Sequence, residues 1–162
     1  MPSKPQRSRR PAVTVRPATL ADLDVLVRFS AAMARETEGR TLAPGRLRKG
    51  VRAALESSER GRYLVAAAGA RVVAQVLLTY EWSDWRNGMF WWIQSVYVEP
   101  AARRRGVYRI LHAHVVREAR KRGDVCGVRL YVEQDNVNAQ TAYTGLGMIA
   151  TAYRIYEQDF VL

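Results

Sequence analysis

Residues 89–122 read MFWWIQSVYVEPAARRRGVYRILHAHVVREARKR. The run opens with aromatic and β-branched residues of strand character and stops at Glu99-Pro100. Three consecutive arginines and Gly106 form a turn, after which Val107, Ile110, Leu111, Val115 and Ala119 recur at helical spacing. Arg109, Arg117, Arg120, Lys121 and Arg122 fall largely on the other face, basic residues gather where the C-terminal dipole favours them, and Gly123 supplies a stop. A strand therefore passes into a helix across an arginine-glycine turn. The first N–H groups of a helix have no partner inside it, so this junction is suited to an anion such as a phosphate.

Working outward from that junction, YLVAAA (63–68) and VVAQVLLTY (72–80) are strand runs joined by Gly69-Ala70-Arg71, and Asn87-Gly88 marks the turn into the strand at 89–98. Farther upstream, AVTVRP (12–17) alternates like a short strand, and Thr19 with Asp22 makes a capping box. A helix follows with Leu23, Leu26, Val27, Ser30 and Ala34 inward and an end near Gly39; Pro44 starts a second, with Leu47, Val51, Ala54 and Leu55 inward. Downstream come a strand at 128–132 (VRLYV), a short helix at 136–146 and strand-like residues at 148–160. The spacing predicts an α/β (α+β) domain over 12–162. Its mixed, mostly antiparallel twisted sheet is expected to have about 6–7 strands and helices on both faces, with strands parallel where a helix crosses over and antiparallel across tight turns.

A chain of 162 residues with 48% apolar and 25% charged residues has the composition of one ordinary globular domain. The 26 basic against 15 acidic side chains give a net charge of +11, which selects for polyanionic partners: nucleic acid, a membrane surface or a phosphorylated small molecule. Residues 1–11 have three prolines and four basic side chains and nothing to bury, so they read as a disordered basic tail. One cysteine, Cys126, excludes an internal disulfide framework and reads as a small core residue. No apolar run approaches a membrane span and no apolar segment follows the basic N-terminus, so the expected location is cytoplasmic. His112 and His114 point in different directions on their helix with no third ligand nearby; no metal site is expected.

The spacing of VYVEPAARRRGVYRIL followed by NVNAQTAYTGLGM resembles the GNAT superfamily of acyl-CoA-dependent N-acetyltransferases, and the element order matches from residue 13 to residue 160. In that family the fourth strand ends in a turn of pattern Gln/Arg-x-x-Gly-x-Gly/Ala whose amides cradle the pyrophosphate of CoA. The pattern falls here on Arg103, Arg104, Arg105, Gly106, Val107 and Tyr108, with Tyr108 in place of the small residue. Arginine runs beside helices are commonly solvated faces, so the turn gains its weight from the second motif, Asn136-x-x-Ala139-x-x-x-Tyr143-x-x-x-Gly147-Met148, where Met148 replaces the family's usual phenylalanine. The resemblance implies that Val96, Tyr97 and Val98 hold the pantetheine arm at a bulge where strands four and five splay apart. It also implies that Asn136 bonds the pantetheine or its neighbouring loop and that Tyr143 lies near the CoA sulfur.

The expected function is an N-acetyltransferase that moves an acetyl group from acetyl-CoA to a primary amine by direct attack in a ternary complex. Tyr143 is the expected donor to the leaving thiolate. Glu81 is the first candidate for the base, followed by Glu133 and Glu36. Trp82, Trp85, Arg86, Phe90, Trp91 and Trp92 cluster at one hairpin, where alternation puts Phe90 and Trp92 on one face and Trp91 on the other. Two alternatives stand beside the enzyme: a nucleic-acid-binding module using the basic surface, and a non-catalytic acyl-CoA-binding protein of the same fold. The expected partners are an amine acceptor, with nucleic acid reached only through the tail, no membrane, and a second copy of the chain in a homodimer.

Overall fold

A computed structural model, which describes residues 12–161, places five strands side by side in chain order. They are β1 (Val13–Pro17), β2 (Arg62–Ala68), β3 (Arg71–Ser83), β4 (Gly88–Val98) and β5 (Val125–Arg129). The helices are α1 (Leu23–Glu38), α2 (Pro44–Glu56), α3 (Val107–Lys121) and α4 (Val137–Thr144). Two compact units result, Met1–Leu130 and Tyr131–Leu162. The basic tail expected at 1–11 lies outside the described residues. Among the described residues no helix is long and apolar enough to cross a membrane.

Strand directions follow from how many elements intervene. β2, β3 and β4 meander through tight turns and pair antiparallel, and the single helix α3 returns β5 parallel to β4. β1 and β2 are separated by helices and nevertheless pair antiparallel. Two helices lie between them, and each crossing reverses the chain once, so a pair restores the direction that a tight turn gives.

Both faces of the sheet are covered within the first unit. Leu64, Ala66, Val76, Leu78, Trp91 and Ile93 pack with Val107, Leu111, Val115 and Ala119 of α3. On the opposite face Tyr63 and Val65 pack with Leu23 and Leu26 of α1 and Val51 of α2. The inward stripe of α3 is the expected one except at its second position, where His112 is buried and Ile110 is 39% exposed.

The start of α1 carries a measurable device. The Asp22 carboxylate accepts from the Thr19 backbone N–H at 2.8 Å and from both terminal nitrogens of Arg16 at 2.8 Å. The Arg16 guanidinium, followed by the Thr19 bonds, holds the carboxyl below the usual Asp range against the opposing effect of burial. A depressed folded-state pKa contributes stability above the unfolded value and loses it as pH falls through the folded one. Asp22→Asn is therefore expected to lower stability by about 1 kcal/mol at neutral pH, with the difference shrinking below about pH 4. Urea unfolding of both proteins at pH 7 and pH 3 checks it; a constant difference would contradict the linkage.

Three expectations are corrected at the C-terminal side. The sheet has five strands among the described residues, and 148–160 contributes none: Ile149, Tyr153, Tyr156 and Phe160 are 80–91% exposed. Alternating apolar residues make a strand only where a neighbour supplies hydrogen bonds to the backbone. β5 begins at Val125 and ends at Arg129 instead of spanning 128–132, because its pairing runs only along Met89 to Trp92 of β4. Cys126 is exposed, since Met89 pairs with Val125 and Phe90 with Gly127, leaving the cysteine as the extra residue of a bulge.

Candidate functional site

A bulge also interrupts β4 where it pairs with β3. Gln75 pairs with Tyr97 and Leu77 with Gln94, so Ser95 and Val96 together oppose the single residue Val76. Ser95 takes a left-handed φ of 49°. The extra residue reverses the parity of the strand: Met89, Trp91 and Ile93 face α3 before it, and Val96 and Val98 face α3 after it. Tyr97 consequently turns toward α1, with its ring centroid 5.1 Å from that of Phe29.

A buried polar cluster holds this distortion. The Gln75 amide, fully buried, donates to the Ser30 hydroxyl at 3.0 Å and to the Ser95 carbonyl at 3.2 Å. Tyr63 joins them, its hydroxyl pKa pushed up by burial while bonds to Ser30 and Ser95 oppose the shift. Sequence reading missed Gln75; the signal was a lone amide inside the apolar run VVAQVLLTY.

Past the bulge β4 has no strand on its outer side. Pairing to β5 ends at Trp92 with Arg129, so residues 93–98 present their outward N–H and C=O groups without a ladder partner among the described residues. An extended polar ligand can add there as a strand does. Val96, Tyr97 and Val98, the residues expected to hold the arm, all lie on this edge, and their side chains pack inward. Only the main chain remains to face a ligand.

The strand then enters the turn. Pro100–Ala102 forms a short 3-10 helix; Arg104 and Gly106 take left-handed φ values of 58° and 74°. Backbone that alternates hand in this way curls N–H groups toward one side. Gly106 precedes α3 without any side-chain cap, and the first turn contains no acidic residue. A Cβ built on Gly106 would meet nothing within 4 Å, so the space in front of it is open. The Tyr108 ring lies beside that of His112 one turn further along α3, tilted at 53° with centroids 6.0 Å apart. His112 is buried, which lowers its pKa. Among the described residues Arg104 and Arg105 have no ion-pair partner.

Arg103 is different. Its Nε donates to the Val98 carbonyl at 2.8 Å and its terminal nitrogen to Glu36 at 2.5 Å. Glu36, one of the candidate bases, also accepts from the Tyr97 hydroxyl at 2.8 Å. Arg103, then Tyr97, hold its carboxyl below the usual range, which weakens it as a base. Glu81 sits on the other side of the bulge, accepting from Arg129 at 2.8 Å and from the Trp92 indole at 2.5 Å. Both its oxygens are engaged. Phe90 and Trp91 of the aromatic hairpin are buried, and Trp82 and Trp85 are exposed.

In the second unit Asn136 caps α4, its side-chain oxygen accepting from the Ala139 N–H at 3.1 Å. The Gln140 amide closes the same end by donating to the Glu133 and Gln134 carbonyls. Tyr143 is half-buried in the last turn, and burial pushes its hydroxyl pKa up. Gly147 follows with φ of 84°, and the Met148 N–H returns to the Tyr143 carbonyl at 3.1 Å. The expected site residues therefore fall into two groups, the edge, turn and Glu81 in the first unit, and Asn136 with Tyr143 in the second. Among the described residues no group of three or more His, Cys, Asp or Glu is placed to hold a metal ion.

No curated protein matches the chain by sequence. Among solved structures, a possible acetyltransferase from Clostridium difficile 630 is 42% identical, with a TM-score of 0.86 over 93% of this chain and 99% of that one. A predicted acetyltransferase from Clostridium acetobutylicum solved with acetyl-CoA is 18% identical, with a TM-score of 0.74 over 91% and 96%. AAC(6')-Iy, solved with the bisubstrate analog CoA-S-monomethyl-acetylneamine, is 14% identical, with a TM-score of 0.73 over 93% and 99%. The last two likenesses are of fold. The model of the acetyltransferase (GNAT) family matches residues 31–148, from the middle of α1 through the second motif. On that match, the chain belongs to the GNAT acetyltransferase family.

Proposed function

We propose that this protein transfers the acetyl group of acetyl-CoA to a primary amine by direct attack within a ternary complex. The observation that carries the reading is a strand edge without a ladder partner that runs into an anion-suited turn. The free edge of β4 at 93–98 leads into a turn with two left-handed residues and then into the uncapped, acid-free start of α3. A ligand with an extended amide-bearing arm and a pyrophosphate matches that path: amides for the edge, anion for the turn.

On this reading the N–H groups of Arg104, Arg105, Gly106, Val107 and Tyr108, with the arginine side chains, take the phosphates. Val96 to Val98 hold the arm and offer a main-chain N–H to the carbonyl oxygen as it becomes an oxyanion. The neutral amine attacks the thioester carbon, the carbon–sulfur bond breaks, and Tyr143 gives its proton to the departing thiolate. Glu81 takes the proton that the attacking nitrogen sheds as the C–N bond forms, a role that requires Arg129 to move off its carboxylate. Asn136 shapes the N-terminus of the helix that carries Tyr143.

The test is thiol release from acetyl-CoA against a panel of primary amines (amino acids, polyamines, aminoglycosides and peptide N-termini), with the mass increment of one acetyl group on the acceptor. Amine-dependent release with an acetylated product is the expected result. Tight acetyl-CoA binding with no product from any amine would favour a non-catalytic acyl-CoA-binding protein.

A further inference from the structure

We propose that Glu36 is a positioning residue for the phosphate turn: with Tyr97 it fixes Arg103 as a brace between α1 and the end of β4, leaving the anion to Arg104, Arg105 and the main chain. The proposal deepens the reading of this site as an acetyl-CoA site and rests on it.

A helix and, some sixty residues later, a strand end with its following turn meet here. Glu36 comes from the last turns of α1, Tyr97 from the bulged part of β4 and Arg103 from the turn. The two Glu36 oxygens divide the work, one accepting from the Tyr97 hydroxyl at 2.8 Å and the other from Arg103 at 2.5 Å. Arg103 simultaneously donates through Nε to the Val98 carbonyl at 2.8 Å and lies over the Tyr97 ring, 5.3 Å from its centroid. Among the described residues, each of these partners of the Arg103 side chain is therefore a residue of the strand end or the carboxylate behind it.

A lone surface ion pair would carry little weight, and both ends of this one are 42% exposed. The difference is the network. Tyr97 is 7% exposed and packed on Phe29, so one Glu36 oxygen is held by a rigid donor before Arg103 arrives. A strand normally has its position set by neighbours on both sides; residues 96–98 have one on the β3 side only. The carboxylate and guanidinium supply the missing restraint from the α1 face, through the Tyr97 side chain and the Val98 carbonyl. Since Arg104 begins the left-handed part of the turn directly after Arg103, the same brace sets where the curled N–H groups point. An Arg103 taken up by phosphate instead would have to leave Glu36 bearing an unpaired charge.

The experiment measures binding of acetyl-CoA and, separately, of inorganic pyrophosphate to the full chain by calorimetry, in wild type, Glu36→Gln, Arg103→Lys and the double variant, and follows KM and kcat with an acceptor amine. Glu36→Gln keeps the shape and loses the charge. It is expected to weaken acetyl-CoA and pyrophosphate binding by about 5- to 30-fold, with KM rising by more than kcat falls. Arg103→Lys keeps a cation without the fork and should act in the same direction, and the double variant should bind no worse than the poorer single one. Wild-type affinity in folded Glu36→Gln and Arg103→Lys overturns the proposal, as does a fall in kcat at unchanged KM, which would mark Glu36 as the base. Failure of the wild type to bind acetyl-CoA overturns the acetyl-CoA reading. The brace then survives only if pyrophosphate binds the wild type and is weakened in the variants; otherwise it falls too.

Discussion

Tyr143→Phe is expected to lower kcat by about 10²- to 10⁴-fold while acetyl-CoA still binds. The substitution removes one hydroxyl and keeps the ring that packs in the last turn of α4, so helix and fold persist. A thiol has a pKa of about 8.5 and a phenol about 10, so the proton is available to a leaving thiolate at only a modest thermodynamic cost. Burial pushes the Tyr143 pKa up, so the hydroxyl stays protonated to higher pH than a solvated tyrosine. Wild-type turnover should therefore show no alkaline loss from this group until above the ordinary tyrosine range. Steady-state kinetics with direct binding of acetyl-CoA separate the two effects. A variant with wild-type kcat would take Tyr143 out of the reaction.

Gly127→Ala is expected to cost about 1–3 kcal/mol of stability, a fall in Tm of about 2–12 °C. A Cβ at Gly127 would stand 2.5 Å from Cε1 and 3.0 Å from Cδ1 of Phe90, the residue it pairs with across β4 and β5. The ring has little freedom to yield. It is 7% exposed, with the Arg129 guanidinium 3.6 Å from its centroid and Arg86 at 5.1 Å. β5 pairs with β4 through only four residues, so a clash here strikes a large part of that interface. Thermal melting by circular dichroism reads the change. A Tm equal to that of wild type would mean that the ring and both arginines repack without strain. By contrast, the left-handed Gly106 has open space around its missing side chain, so a residue there meets backbone strain and no steric neighbour.

The local signals in the sequence translated directly into structure where one or two neighbouring residues set the backbone. Thr19 and Asp22 make the capping box of the 3-10 turn Leu20–Asp22 that leads into α1, left-handed Gly39 closes that helix, and Pro44 begins α2. Asn87, at φ of 45°, turns β3 into β4 ahead of Gly88, and Gly106 precedes α3. The strand-to-helix junction at 89–122 was legible for the same reason, and with it the location of the candidate anion turn. Family membership followed from two motifs whose spacing survives in the linear chain.

Contacts made across the sheet were not legible. The bulge at Ser95 is an accounting of residues on β4 against residues on β3, so no local rule places it, and only the family resemblance implied one near Val96 to Val98. The same holds for Cys126, exposed because a one-residue slip between β4 and β5 sets it outside the ladder. Residues 148–160 have a strand's alternation and no strand, since hydrogen bonds come from a partner and not from the pattern. Carboxylates were the least readable. Glu36 and Glu81 looked alike as candidate bases, and their partners, Arg103 with Tyr97 and Arg129 with Trp92, lie between 11 and 67 residues away in the chain.

By itself, then, the sequence determined the element order, the helix ends and turns, the strand-to-helix junction and the family, because each depends on φ/ψ preferences and periodicities that act over a few residues. Tertiary structure alone decided which residues of β4 carry the bulge, the inward turn of Tyr97, and the partnership that makes Arg103 a brace while Arg104 and Arg105 remain without an ion-pair partner among the described residues. Those depend on register and on charges brought together from distant segments, which only the packed sheet and helices specify.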